Sequence, residues 1–305
     1  MKKLIIFCTI TVSVLFSKEP IEPIKPVIYN DSMAKLGMTL FMDTGLSSDG
    51  TVSCASCHKF EHGGADDKAF SIGVQGRKGF INSPTVYNAV FNFRQFWNGR
   101  AKDLKDQEIE PLSNHHEMNM TKEKIVKYLK SNDYYIKEFR NVFHKAPNFE
   151  NMLDSIVEFE KSLTTPNSKF DKFLRKEVKL SKKESEGYTL FKMYGCVTCH
   201  NGKNVGSNSF QKIGVINPFP WSPKTLDRYQ ITKNPMDKNV FKVPTLRNVA
   251  LTAPYFHNGV AKTLKNAIKN MSYYNLGFEL DDIEVDKIEA FLKTLTGQKP
   301  KILER

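Results

Sequence analysis

The chain has 305 residues, of which 40% are hydrophobic and 26% charged, and this balance predicts a globular protein of one or two domains. No low-complexity tract follows the first thirty residues, which excludes a repetitive or fibrous chain. The formal charge is +12, but the basic residues are dispersed, with neither a recognition helix nor interleaved aromatic and basic residues, so we expect no nucleic-acid partner.

The first seventeen residues have the layout of a secretory signal peptide. Lys2 and Lys3 precede an apolar run over residues 4–16, and the small Ser17 follows. The run is short and is interrupted by polar residues, although an uncleaved membrane anchor remains an alternative. No later segment is long and apolar enough to cross a bilayer. The pattern therefore predicts export to the periplasm, with residues 1–17 as the signal peptide.

Helical patterns with recognisable caps follow along the chain. Predicted helices cover residues 31–41, 82–91, 122–129, 149–163, 182–194, 264–273 and 280–295. The last helix is expected to bury one side formed by Ile283, Ile288, Phe291 and Leu292. Long loops over residues 63–83 and 201–241 separate the helices, and loops of this length inside a domain are usually functional.

The cysteines carry the strongest chemical signal. Cys8 lies in the predicted signal peptide, and the other four form two C-x-x-C-H segments at residues 54–58 and 196–200. This pattern is typical of c-type haem attachment, in which each thiol adds to one vinyl group of the porphyrin. The histidine that follows, His58 or His200, would then ligate the iron. The pairs Cys54 with Cys57 and Cys196 with Cys199 are therefore predicted to bind two haem c groups.

Three other interpretations of these cysteines are weaker. A thioredoxin-like redox pair would require a βαβ context. A four-cysteine zinc site would leave both histidines unused, and its two pairs would be unusually far apart. Structural disulfides would not require a histidine after each pair.

The two segments also divide the chain, because His58 and His200 lie 142 positions apart. The T-T-P-N-S run at residues 164–168 is the natural boundary. We expect a mainly α fold with long loops and two cytochrome c-like helical domains, at residues 18–165 and 166–305, each with one covalently bound haem c.

Further motifs extend over nearly the whole mature chain. They are N-S-P-T-V-Y-N at 82–88, F-W-N-G-R-A at 96–101, T-P-N-S-K-F-D at 165–171, F-K-V-P-T-L-R-N-V-A at 241–250 and P-Y-F-H-N-G at 254–259. With the haem segments, they resemble the bacterial dihaem cytochrome c peroxidases, a family that includes the MauG-like maturation oxidases. The resemblance implies that hydrogen peroxide is reduced to water with electrons from a small c-type cytochrome, and that the enzyme is a homodimer.

The same resemblance implies roles for single residues. The haem on His58 would be the peroxide site, and the haem on His200, with Met271 as its second axial ligand, would receive electrons. Trp97 would lie on the electron path between them. Core packing is the alternative for Met271 and for Trp97. Asn82, Thr252 and Pro254 match the family's calcium site between the domains.

The chain departs from many relatives at one position. The run S-I-G-V ends in Val74, where these relatives carry a histidine that caps the peroxide iron, and Val74 cannot ligate iron. His115 and His116 are nearer the expected distal loop, but adjacent histidines are more often solvent-facing. We therefore expect an open peroxide site that needs no reductive activation.

The distal residues implied by the resemblance are Glu117 and Gln107. Glu117 would transfer the proton that peroxide cleavage requires; a surface carboxylate is the alternative. Two other functions stay open at this point. A MauG-like oxidase would act on a protein or another substrate, but Met271 argues against it, because the maturation oxidase has tyrosine there. A dihaem electron carrier would have two six-coordinate haems.

Overall fold

The computed structural model describes residues 19–304, so the predicted signal peptide and Cys8 lie outside the described residues. The described chain is mainly helical, as predicted. Its α-helices are α1 Asp31–Met42, α2 Cys54–Cys57, α3 Leu104–Ser113, α4 Lys122–Lys130, α5 Asp133–Phe143, α6 Phe149–Ser162, α7 Lys169–Leu174, α8 Lys182–Met193, α9 Tyr229–Thr232, α10 Leu264–Met271 and α11 Asp282–Lys293. None of these helices is long and apolar enough to cross a membrane.

The strands described are short. β1 (Phe210–Lys212) pairs antiparallel with β2 (Val240–Lys242), and Phe210 lies opposite Lys242. This hairpin lies within the long segment between the second C-x-x-C-H and the F-K-V-P-T motif. It places Phe241 and Lys242 against the first half of the chain.

The first apolar core is organised by α1 crossing α6. The helices are capped at their N-termini by Asn30 and Asn148, whose side chains accept hydrogen bonds from the backbone N–H groups of Met33 and Asn151. Phe41 and Phe159 pack edge to face with ring centroids 5.2 Å apart. Gly37 lets the helices approach closely, since a Cβ there would collide with the carbonyl oxygen of Ser155.

The second core repeats this arrangement with α8 and α11. Gly187 lies against the backbone of Lys287, and the rings of Phe191 and Phe291 are 5.1 Å apart. The prediction that Ile283 is buried is wrong: it is 67% exposed, whereas Val285 is 1% exposed. Ile283 lies two positions before Val285, about 200° around the helix, and therefore on the side of α11 that faces away from the core.

The two halves share a backbone repeat offset by 160 positions. Asn88 and Asn248 both adopt a positive φ before a short 3₁₀ turn, as do Phe96 and Phe256 before a tight loop. Helices α3 and α10 then start at equivalent positions, after the caps Asp103 and Thr263. The sequence carries the same repeat, because Pro84, Asn98 and Leu104 recur at this offset as Pro244, Asn258 and Leu264.

Two secondary-structure predictions are wrong. Residues 82–88 form no helix, and only Ala89–Phe91 makes a 3₁₀ turn, because the carbonyl and N–H of Asn82 bond to Trp97 and His257 instead. Helices α3, α5 and α7 were not predicted, and neither was the short α9, which lies inside the predicted loop 201–241. In α3 the charged run K-D-Q-E-I-E hides the apolar pattern that would mark a helix.

The ends of the chain cross between the two cores. Ile21 packs in the second core, and its segment pairs with Gly202. At the other end, Ile302 packs in the first core. Arg247, fully buried, donates to the Glu22 carbonyl and to Asp171 at 2.7 Å each, which ties the N-terminal segment to the second core. The division at residue 165 stays a prediction.

Candidate functional site

The first C-x-x-C-H segment is a single helical turn, α2. Ser53 and Ser56 form a reciprocal capping box that starts the turn at Cys54. His58 follows in a non-helical conformation, with its Nδ1 3.3 Å from the Gly64 carbonyl oxygen. That contact orients the ring and leaves Nε2 as the nitrogen available to a metal.

The second segment is a 3₁₀ turn at Cys196–Thr198, preceded by Gly195 with a positive φ. His200 is deeply buried, and its Nδ1 has no hydrogen-bond partner. Gly206 lies against this ring, because a Cβ there would come within 3.3 Å of His200 Nδ1. The second histidine therefore sits in a tight pocket of its own.

The ionisation of these residues suits haem attachment. Burial lowers the pKa of His200 to about 4 and also lowers that of His58, so both rings are neutral as iron ligands must be. Burial raises the pKa of the Cys57 thiol and of the Cys196 thiol to about 11. All four thiols are unpaired, and within the described chain no three metal-ligating side chains converge as a zinc site would require. The residues present therefore fit two covalently attached haems better than disulfides or zinc.

Glu117 lies beside the first segment. Its Oε1 accepts a 2.6 Å hydrogen bond from Asn114 Nδ2. Burial, together with the charge of Glu110, raises the pKa of the Glu117 carboxyl, while Arg100 opposes the shift. The charge of Glu117 in turn acts on the Cys57 thiol. Glu117 is thus a partly buried carboxyl close to the first segment, and the surface alternative does not describe it.

The loop that carries Val74 packs directly on this acid. Val74 is fully buried, and its N–H donates to the Glu117 carbonyl oxygen at 2.9 Å. Gly73 is required here, because a Cβ would collide with the His116 carbonyl oxygen. The position that departs from the family pattern and the predicted distal acid are therefore neighbours.

The two adjacent histidines differ. His115 is exposed and pairs with Arg77 at 2.9 Å. The expectation that both face solvent is wrong for His116, whose Nδ1 is buried without a partner and whose ring packs on Phe80. Gln107 lies on α3 and is half-buried.

Trp97 connects the two halves. Its Nε1 donates to the Asn82 carbonyl at 2.8 Å, and its own carbonyl accepts from Lys242 N at 2.7 Å. Its ring packs edge to face on Phe241 and His257. Trp97 therefore makes contacts with residues of both halves of the chain.

Of the residues predicted for the calcium site, Asn82 and Thr252 each make a contact across the same boundary, whereas the contact of Pro254 with Gly259 lies within the second half. The Asn82 N–H donates to the His257 carbonyl at 2.7 Å. Gly63 lies against Thr252, and Gly259 lies against Pro254. His62 Nε2, 2.5 Å from the Ala253 carbonyl, adds a contact between the halves that sequence reasoning did not assign.

Met271 is the last residue of α10, directly before one turn of π-helix at Ser272–Leu276. Such turns are frequent at functional sites. Met271 is half-buried and does not belong to the described apolar cores, which disfavours the core-packing alternative.

Two buried carboxyls near Cys54 were not predicted. Glu108 and Glu160 are 7% and 3% exposed, and three of their four carboxyl oxygens have no hydrogen-bond partner. Nothing in the sequence marks them, because glutamate in a helix is ordinarily a surface residue.

Comparisons with known proteins agree with this arrangement. A family model described as di-haem cytochrome c peroxidase matches residues 31–179. The chain is 47% identical, over 94% of its length and 87% of the relative, to a cytochrome c551 peroxidase of Nitrosomonas europaea. It is 44% identical to the cytochrome c peroxidase Ccp of Escherichia coli, over 92% of this chain and 61% of that longer protein. The fold matches a MauG-like protein associated with microbial copper homeostasis, with a TM-score of 0.80 and 27% identity over 93% and 95% of the two chains.

Proposed function

This chain belongs to the di-haem cytochrome c peroxidase family, and we propose that hydrogen peroxide is reduced at the His58 site with electrons that enter at the His200 site. The enzyme is an oxidoreductase that acts on peroxide, with two haem c groups as cofactors and a c-type cytochrome as electron donor. The observation that carries this conclusion is the 47% identity to a cytochrome c551 peroxidase over 94% of the chain. The MauG-like alternative has weaker support, at 27% identity.

The residues that would hold the haems follow from the two segments. Cys54 and Cys57 would bind the first haem, and Cys196 and Cys199 the second, within cytochrome c-like domains at residues 18–165 and 166–305. His58 and His200 would ligate the irons, with Met271 opposite His200. When bound, the haems supply the iron centres for peroxide reduction and electron transfer.

Glu117 is the proposed distal acid and base. Its Oε1 is held by Asn114, which leaves Oε2 to accept a proton from bound peroxide and return it to the departing oxygen. Burial raises the pKa of this carboxyl, which favours a group that can hold a proton as well as release it. Gln107 would orient the bound peroxide through its side-chain amide.

Trp97 is the proposed link for electrons between the halves. It is supported by the hydrogen bonds of Trp97 to Asn82 on one side and to Lys242 on the other. The phenyl ring of Phe241 and the ring of His257 hold the indole in place. Replacement of Trp97 by phenylalanine should slow transfer between the haems while leaving both haem spectra intact.

A calcium ion is proposed at the boundary between the halves, with oxygen ligands from Asn82, Thr252 and Pro254. Such ligands suit calcium, which prefers oxygen donors. Because these residues come from both halves, the ion would brace them together. Chelation should then weaken electron transfer between the haems before it affects the attachment of either haem.

Export and assembly are proposed from the chain itself. The charged and apolar start of the sequence and the two C-x-x-C-H segments support a periplasmic enzyme whose signal peptide is removed. We also propose a homodimer, which light scattering of the purified holoenzyme would test.

The test of the proposed function is peroxide-dependent oxidation of a reduced monohaem cytochrome c by the purified holoenzyme. We expect turnover, and we expect a His58→Ala variant to lose it while retaining the spectrum of the second haem. A wild-type holoenzyme that leaves peroxide unchanged would contradict the proposed function, and two six-coordinate haems in the same preparation would then favour the electron carrier.

A further inference from the structure

The buried pair Glu108 and Glu160 is the titratable group that the proposed mechanism leaves unused. Glu108 lies on α3 and Glu160 on α6, two helices that pack against each other. Both carboxyl oxygens of Glu108 and Oε2 of Glu160 are buried with no hydrogen-bond partner. A buried carboxylate without partners is costly, so these groups must be neutral or find another partner.

The surroundings of the pair favour the neutral form. The charges of Glu108 and Glu160 each act on the Cys54 thiol, so both carboxyls lie within electrostatic range of the first haem segment. Burial raises the pKa of Glu160 to about 8, and burial together with the Glu160 charge raises that of Glu108 well above its ordinary value.

An ion pair at the protein surface also interacts with Glu108. Asp154 of α6 and Lys105 of α3 both act on Glu108, and Lys105 Nζ lies 2.6 Å from Asp154 Oδ1 and 3.2 Å from Glu150. Lys105 and Asp154 are 38% and 39% exposed, so they are in contact with water. Glu108 therefore interacts with a solvated ion pair as well as with Cys54.

We propose that Glu108 and Glu160 form a carboxyl pair that stores protons and supplies them to the peroxide site, a role that rests on the proposed function. Gln107 precedes Glu108 on α3, so this helix carries one carboxyl of the pair and a residue of the proposed distal site. This role differs from that of Glu117, which moves a proton between the two oxygens of peroxide and adds none.

The stoichiometry of the reaction requires such a supply. Reduction of one hydrogen peroxide breaks the O–O bond and consumes two electrons and two protons to give two waters. Two molecules of reduced cytochrome provide the electrons and no protons. A protonated carboxyl of the pair gives up one proton and becomes a carboxylate, which water beside Asp154 and Lys105 reprotonates before the next transfer.

The test uses the holoenzyme and the neutral variants Glu108→Gln and Glu160→Gln. Glu123→Gln, which removes an exposed carboxyl from the first turn of α4, is the control. Infrared difference spectra, reduced minus oxidised, should show a protonated-carboxyl band that shifts in heavy water. We expect this band in the wild type and the control, and a weakened or absent band in the other two variants.

Turnover provides the second measurement. Both pair variants should lose roughly 100-fold in turnover with intact haem spectra, at the low end of what a proton-transfer group contributes. If a pair variant fails to bind haem, the infrared band of the wild type is measured against pH instead. A band that titrates between about pH 6 and 9 in step with turnover supports the proposed carboxyl pair. A band that does not titrate in this range overturns the proposal.

The outcomes separate the two hypotheses. If the wild type turns over peroxide and the pair variants match it in turnover and in the infrared band, the proton-supply role of the pair is wrong and the proposed function stands. A wild type that consumes no peroxide overturns the proposed function and the pair's role with it.

Discussion

The backbone and the side chain of Glu117 accept hydrogen bonds from different residues. Its carbonyl accepts the Val74 N–H, and its carboxyl accepts the Asn114 amide. The acid is thereby fixed relative to the loop that closes over it. Pre-oriented groups of this kind contribute to catalysis because no reorganisation is required at the moment of reaction.

Glu117→Gln should keep both haems and lower turnover by about 10²- to 10⁴-fold, because glutamine cannot transfer the proton. Steady-state peroxide consumption measures the loss. Glu279→Gln, which alters an exposed carboxyl in the second half, should be unaffected. Turnover of Glu117→Gln equal to that of the wild type would remove Glu117 from the mechanism.

Val74 leads to a spectroscopic prediction. Since this buried valine cannot ligate iron, the fully oxidised holoenzyme should show a high-spin ferric signal by electron paramagnetic resonance, and the signal should disappear when peroxide is added. Turnover should begin without prior reduction. Two low-spin haems at rest would contradict the open site, and His116→Ala would then test the buried His116 as the replacement ligand.

Glu160 should make stability depend on pH. Its pKa is raised from 4.5 to about 8, so the unfolded chain loses this proton first as the pH rises. Stability is therefore fully present below about pH 4.5 and falls toward pH 8, by up to about 1.4 kcal/mol per pH unit. Glu160→Gln should show a shallower decline in denaturant unfolding between pH 5 and 8, with Glu108 supplying what remains, because burial also raises the pKa of that carboxyl. A decline as steep as that of the wild type would show that Glu160 is ionised in the fold.

At the scale of elements, each core depends on one helix crossing made close by glycine. Gly37 lies in the contact of α1 with α6, and Gly187 lies in the contact of α8 with α11. The first helix of each crossing, α1 or α8, precedes a C-x-x-C-H segment in the chain, so its packing helps determine where the thiols and histidine are presented.

Gly37→Ala and Gly187→Ala should each reduce the free energy of unfolding by about 1–3 kcal/mol, because the added Cβ meets backbone on the facing helix. The better helix propensity of alanine offsets part of this cost. Denaturant titrations followed at the haem bands measure it. Gly79→Ala, whose Cβ would make only an ordinary contact, is the control; equal stability of all three variants would show that the crossings can relax.

At the scale of the whole molecule, the two halves are joined by more than the chain at residue 165. The N-terminal segment packs on the second core, the C-terminal turn packs on the first, and Trp97 bridges them. Such cross-contacts hold the two haem sites in a defined relation, which electron transfer between them requires.

Ile302→Ala should therefore destabilise the first half, although residue 302 is at the far end of the chain. We expect a loss of about 2–4 kcal/mol from the cavity left in that core. Unfolding followed at the first haem should shift more than unfolding followed at the second. A larger shift at the second haem would contradict the crossed packing.

The sequence by itself determined the chemistry. Local spacing is sufficient to predict the C-x-x-C-H segments, because the thiols and the histidine follow one another within five positions. Local capping predicted the helices whose N-caps are Asn30, Thr121, Asn148, Ser181 and Thr263. The resemblance carried by the longer motifs led to the family, which the comparisons confirm.

Only the tertiary structure decided what depends on contacts between distant segments. The non-helical conformation of residues 82–88 follows from the hydrogen bonds of Asn82 to Trp97 and His257. The burial of polar atoms in Glu108, Glu160 and His116 follows from the packing of helices and loops around them. The crossing of the termini is of the same kind. No local pattern encodes such features, because the free energy that stabilises them comes from partners more than fifty positions away or on another element.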